Sequence, residues 1–122
     1  MRLSTVFIFN TLAALGYAAG LLIIPETIMT WHGIGIHGST ILMARYFGVA
    51  LLGIGLVAWL ARDTVESKAR DAITIGFSIS CVAGFVLSVQ ATLAGQMNSL
   101  GWLPAAAYLL LVLGYGFARF SR

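Results

Sequence analysis

The sequence predicts an all-α integral membrane protein: a bundle of four transmembrane helices threaded up-down-up-down, with the N and C termini cytoplasmic. Three observations predict it. Residues 3–25, 46–61 and 72–118 contain no Asp, Glu, Lys or Arg. About 20 apolar residues rising about 1.5 Å each cross the roughly 30 Å hydrocarbon layer, so the last stretch holds two crossings and four helices follow. The composition, 60% hydrophobic and 9% charged, departs from the roughly 45–50% apolar and 25% charged residues of a soluble domain. Crossings consume nearly all of the 122 residues, so they form a single domain and any activity must use the bundle or its loops.

The first span is expected over residues 3–24. Pro25 ends it, because proline has no N–H to donate and disfavours helical geometry at the residue before it. Met1-Arg2 ahead of an apolar run, with Ala18-Ala19-Gly20 as a small-residue region, is also the pattern of a signal peptide. The run continues through Leu21-Leu22-Ile23-Ile24, longer than a typical signal core, which favours a retained anchor. Residues 26–31 suit a short helix with proline at its first position, Glu26 in its first turn and Gly33 just past its end.

The second span is expected over 39–61, with Ser39 as N-cap. The third is expected over 64–94, since Asp63 followed by Glu66 resembles a capping box and Glu66 with Arg70 makes an i,i+4 pair. Residues 95–99 break the chain before a fourth span over 100–120, where Pro104 falls in the first turn or so and its missing N–H costs little. Short connections make the second and third spans, and the third and fourth, expected antiparallel neighbours.

Orientation follows from the basic residues. In a four-crossing threading Arg2, Arg62, Lys68, Arg70, Arg119 and Arg122 share one side, cytoplasmic by the positive-inside rule, and the 25–38 loop and the 95–99 turn face outward. The basic residues flank hydrophobic spans, so the net charge of +3 orients the chain and does not signal nucleic acid. Trp31 and Trp102 fit interfacial anchors.

Helices in lipid associate through close packing at small residues. Gly76, Ser80, Gly84 and Ser88, at i+4 spacing, mark a packing face of the third span and, as the alternative, an oligomer face. Gly16 to Gly20 on the first span and Ala44, Gly48 and Gly55 on the second mark further seams.

Arg45 is the most telling residue: it lies about one and a half turns inside the second span, on the side opposite the other arginines. An Arg at a helix centre costs roughly 2.5–3.5 kcal/mol on insertion scales, less where it snorkels to the interface. It either snorkels to headgroups or anchors an anionic or carbonyl-bearing ligand in an outward-facing polar pocket. Gln90, Glu26, His32 and His37 lie at similar depth and could converge on one polar site; Gln90 and Glu26 are the candidate partners, giving a ligand-binding set of Arg45, Gln90 and Glu26. Asn10 is expected to make an interhelical hydrogen bond.

Other chemistry lacks its residues. His32 and His37 are five apart with no Cys beside them, so no metal motif forms. No intramembrane Asp or Glu serves a proton-coupled pump. Cys81 stands without a C-x-x-C and reads as a buried small apolar residue. No phosphate loop, nucleophile elbow or H-E-x-x-H is present, so no catalytic residue and no cofactor is assigned.

The segment Ala44-Arg45-Tyr46-Phe47-Gly48-Val49-Ala50-Leu51-Leu52-Gly53-Ile54-Gly55-Leu56, ending in Trp59-Leu60-Ala61-Arg62, resembles the glycine-punctuated second helix of the small DoxX-like or DoxD-like four-helix bacterial membrane proteins. Length and helix count extend the likeness along the chain. The resemblance implies a bacterial cytoplasmic-membrane bundle, in a group with members linked to oxidoreductase or respiratory assemblies. Arg45 departs from the acidic residue found in some members. The expected role is a non-enzymatic accessory or lipophilic-ligand-binding bundle surrounded by membrane lipid. The alternative is a small transport or redox-assembly component acting as a homo-oligomer or as a subunit of a membrane complex.

Overall fold

A computed structural model describes residues 2–35 and 37–120; Arg122 lies outside the described residues. The elements are α1 (Leu3–Ile23), α2 (Pro25–Trp31), α3 (Gly38–Ala61), α4 (Lys68–Leu93), a 3-10 turn (Ser99–Gly101) and α5 (Trp102–Phe120). Among the described residues there is no strand. The helices α1, α3 and α4 and the segment Ser99–Arg119 are each long and apolar enough to cross a membrane. This is the make-up of a multi-pass integral membrane protein.

Local chemistry explains most boundaries. Pro25 takes the first position of α2 with Glu26 in its first turn, where the absent N–H leaves no bond unmade. α2 closes with Ile34 N–H donating to the Met29 carbonyl (2.9 Å) and Gly33 N–H to the Thr30 carbonyl (3.0 Å). This paired closure puts the residue after the cap in the left-handed region, and Gly33 occupies it at φ +73°. α4 ends the same way, with Gly95 at φ +79° and Gln96 N–H donating to the Ala91 carbonyl (2.9 Å).

The expected start of the third span at 64 is corrected: α4 begins at Lys68. The hydroxyl of Ser67 accepts from Arg70 N–H (3.2 Å) and caps the helix. The preceding residues instead finish α3. Thr64 Oγ1 donates to the Ala61 carbonyl (2.7 Å), and Arg62 donates to the Trp59 carbonyl (2.6 Å) while its guanidinium lies 3.5 Å from the Trp59 ring centroid. The Asp63–Glu66 capping box is therefore not the one that starts the helix.

α1 is the most buried of the four long helices and α4 the least. α1 packs against both α3 and α5, and α4 packs on α5. The expected neighbourhood of the second and third spans is corrected accordingly, because α3 and α4 share no substantial interface. The glycine-bearing face of α3 turns to α1 instead: a Cβ at Gly55 would stand 2.6 Å from Leu15, and one at Gly48 3.1 Å from Leu22.

Two clusters fill the interior. One joins Leu3, Val6 and Phe7 of α1, Ala58 and Ala61 of α3, Cys81 of α4, and Leu111, Tyr115 and Ala118 of α5. Phe7 meets the rings of Tyr115 and Phe77 edge-on, with centroids 5.6 and 6.2 Å apart, an arrangement the ring quadrupoles favour. The other joins Ala14, Ala18, Leu21 and Leu51, with Tyr17, Ile28, Ala44 and Ile54 against it, so it involves only α1, α2 and α3. At the end of the first cluster, Arg119 in the last turn of α5 pairs with Asp71 in the first turn of α4 (3.2 Å). At the opposite end, the turn before α5 lies against α2.

Candidate functional site

The end of the molecule that carries α2 holds every residue assigned to a ligand site by sequence. Arg45 lies seven residues into α3, about 10 Å along its axis at 1.5 Å per residue, and is exposed. Glu26 in the first turn of α2 and Gln90 in the last turn of α4 are exposed as well. Among the described residues, no hydrogen bond or ion pair joins the three. They sit on three elements, of which α3 and α4 share no substantial interface.

The small-residue stripe divides. Gly84 faces α5, since a Cβ there would stand 2.6 Å from the Tyr108 ring, and Ser88 is buried. Gly76 and Ser80 are exposed, and a Cβ at Gly76 would meet nothing within 4 Å. The drift follows from helical geometry, because i+4 steps advance about 40° around the axis each time. Trp31 and Trp102 are both exposed, as interfacial rings require.

His32, expected in the outer loop as a possible companion of Arg45, is 6% exposed. Three segments meet on it. Its Nδ1 lies 2.8 Å from the Ile28 carbonyl, which can only accept, so Nδ1 carries a hydrogen in this arrangement. Nε2 lies 3.0 Å from the Tyr17 hydroxyl; in the neutral ring it is the acceptor, and Tyr17 donates. The His32 carbonyl accepts from Asn98 N–H (2.9 Å), and Asn98 Nδ2 donates to the Trp31 carbonyl (3.0 Å). Asn98 thus satisfies carbonyls left over at the end of α2, which a helix terminus otherwise leaves unpaired. The positive φ of Gly33 makes the seat: its Cα comes so close to Asn98 that a Cβ would stand 3.1 Å from the Asn98 side chain.

Deeper in the bundle, Asn10 Nδ2 donates to the Tyr115 hydroxyl (2.8 Å), tying α1 to α5, the interhelical bond expected of that amide. Cys81 is buried and belongs to the first apolar cluster. Among the described residues no group of three His, Cys, Asp or Glu side chains gathers where it would hold a metal ion.

No family model, curated protein or solved structure matches the chain. The functional reading therefore rests on the residues alone. They offer Arg45, which has no hydrogen-bond or ion-pair partner among the described residues, and a buried histidine whose two nitrogens are both engaged by the protein itself.

Proposed function

We propose that this chain is a non-enzymatic accessory protein of the bacterial cytoplasmic membrane, which holds a lipid or small lipophilic ligand by its anionic or carbonyl head at Arg45. The threading is up-down-up-down with both termini cytoplasmic, so Arg45 works on the outward side. The carrying observation is that Arg45 is set about 10 Å into α3 without a hydrogen-bond or ion-pair partner among the described residues. Two other arginines are engaged, Arg62 by Trp59 and Asp63 and Arg119 by Asp71, whereas Arg70 leaves its Nε without a hydrogen bond beside the α3–α4 connection. A guanidinium at that depth gains most from a head group that receives its planar fork. Glu26 and Gln90, exposed on α2 and α4, are the proposed polar companions. The likeness of α3 to the DoxX-like second helix supports a small-bundle role of this kind.

The test is native mass spectrometry of protein extracted in mild detergent. Arg45→Ala is expected to lose the co-purifying adduct, with affinity down about tenfold to a hundredfold as for a lost charge-assisted bond, while helicity is unchanged. Arg45→Lys keeps the charge without the fork and is expected to fall between. Adducts identical in all three proteins reject the reading.

A second reading, a subunit of a homo-oligomer or membrane complex, is favoured by one observation: Gly76 and Ser80 lie exposed on α4, the least buried long helix. It predicts a reproducible oligomer or partner in mild detergent. A persistent lone monomer counts against it.

A further inference from the structure

We propose that His32 is the proton-sensitive catch of a latch that fastens α2 and the 94–101 turn onto α1, and that acidification on the α2 side releases it. The latch is a chain of four contacts. Tyr17 on α1 donates to Nε2, Nδ1 donates to the Ile28 carbonyl within α2, the His32 carbonyl accepts from Asn98 N–H, and Asn98 Nδ2 donates to the Trp31 carbonyl. The ring of His32 also lies against that of Tyr17, with centroids 5.7 Å apart. One residue therefore holds three segments, by its ring on one side and its backbone on the other.

The arrangement favours the uncharged imidazole. The Ile28 carbonyl requires the hydrogen on Nδ1, so an added proton must go to Nε2, where Tyr17 now donates. Tyr17 would have to reverse into an acceptor, and its own hydrogen would lose its partner. Among the described residues nothing facing the ring compensates the charge. α1 presents the neutral Tyr17; α2 carries Glu26, which is exposed and makes no ion pair with the ring; the approach to α3 carries His37 and α3 itself the cationic Arg45; the 94–101 turn presents the neutral Asn98; and α5 carries the neutral Tyr108. A charge in a site this buried, without a counter-ion, is relieved by moving the ring to water. Histidine is the side chain that gains its proton as neutral solution turns mildly acidic. Moving the ring draws the His32 carbonyl from Asn98, so α2 and the turn before α5 loosen together. The inference is independent of what Arg45 holds.

Hydrogen–deuterium exchange of the full chain in phosphatidylcholine nanodiscs, corrected for the intrinsic pH dependence of exchange, tests it. Between pH 7.5 and 5 the wild type is expected to gain exchange in peptides covering 25–34 and 94–101 together, with the interior of α1 unchanged. His37→Gln should keep that transition and His32→Gln should lack it. Tyr17→Phe removes the bond that Nε2 accepts in the neutral ring, so its transition should move to higher pH. Nitrogen-15 spectra of wild-type histidines provide a readout without substitution, in which one ring, protonated on Nδ1 alone at pH 7.5, becomes doubly protonated in step with the exchange. A wild type without the transition overturns the proposal. So does a transition that persists in His32→Gln, moves down in Tyr17→Phe, or occurs with the buried ring still neutral.

Discussion

At the scale of single residues, the polar groups of an apolar bundle reveal themselves by the partners they require. Asn10 and Tyr115 are 3% and 0% exposed, and their 2.8 Å bond joins α1 to α5. Tyr115→Phe leaves the amide without its acceptor in an apolar setting and is expected to destabilise the fold by about 1 kcal/mol. Adding Asn10→Leu removes the unmet demand and should recover part of that loss. Reversible unfolding in mixed micelles measures both, and equal stability of Tyr115→Phe and wild type would show the bond to be idle. A lone amide in an apolar span told its own requirement from the sequence; its partner, 105 residues away, did not. Arg45 was equally conspicuous, since a charge at that depth has few explanations. His32 was legible as a possible member of an outer polar site but not as a buried one, because its burial is created by α2 folding back along α1. That return lays the Ile28 side chain over Gly20, where a Cβ would stand 2.8 Å from it, and no local pattern around His32 reports it.

At the scale of elements, spacing showed which helices carry small faces but not what each face meets. Gly55 and Gly48 bring α3 against Leu15 and Leu22 of α1. Gly55→Leu is expected to force the α1–α3 seam apart and to cost several kcal/mol, as overpacking of a tight contact does, read as loss of folded protein in a detergent thermal-stability assay. Gly76→Leu is the contrasting case. With open space at that position it should leave monomer stability within about 0.5 kcal/mol, so any loss of an oligomer that it causes belongs to an interface between copies. Gly84→Leu cannot serve that purpose, because it strikes Tyr108 within the same chain. Helix starts were the less legible boundary. Both Asp63 and Ser67 have cap chemistry, and the choice fell to Ser67 because Arg62 and Thr64 turn back onto the end of α3. Helix ends were plainer, since Gly33 and Gly95 sit where a left-handed residue is required.

At the scale of the whole molecule, four apolar rods were legible from charge-free length alone, while their adjacency was not. Apolar faces in lipid gain nothing from one another by leaving water, so hydropathy leaves the order of packing open and side-chain shape decides it. Here it places α1 between α3 and α5 and sets α4 on α5. What hydropathy leaves open about direction, charge supplies. Arg62, Lys68 and Arg70 lie in and beside the α3–α4 connection, and Arg119 beside the start of α4, whereas Arg45 stands alone toward the α2 end. The proposed threading puts the larger group in the cytoplasm. In a Cys81→Ala background, a membrane-impermeant maleimide added to intact cells should label Ser99→Cys and not Val65→Cys, and permeabilised cells should label both. Labelling of Val65→Cys in intact cells would invert the molecule and place Arg45 in the cytoplasm. Orientation should weaken as the larger basic group is neutralised. Neutralising Arg62, Lys68 and Arg70 together leaves a far smaller basic excess to oppose Arg45, so the labelling pattern should become mixed. Restoring a single lysine at 68 should move it back toward the original side, because orientation responds to the difference in basic residues between the two faces.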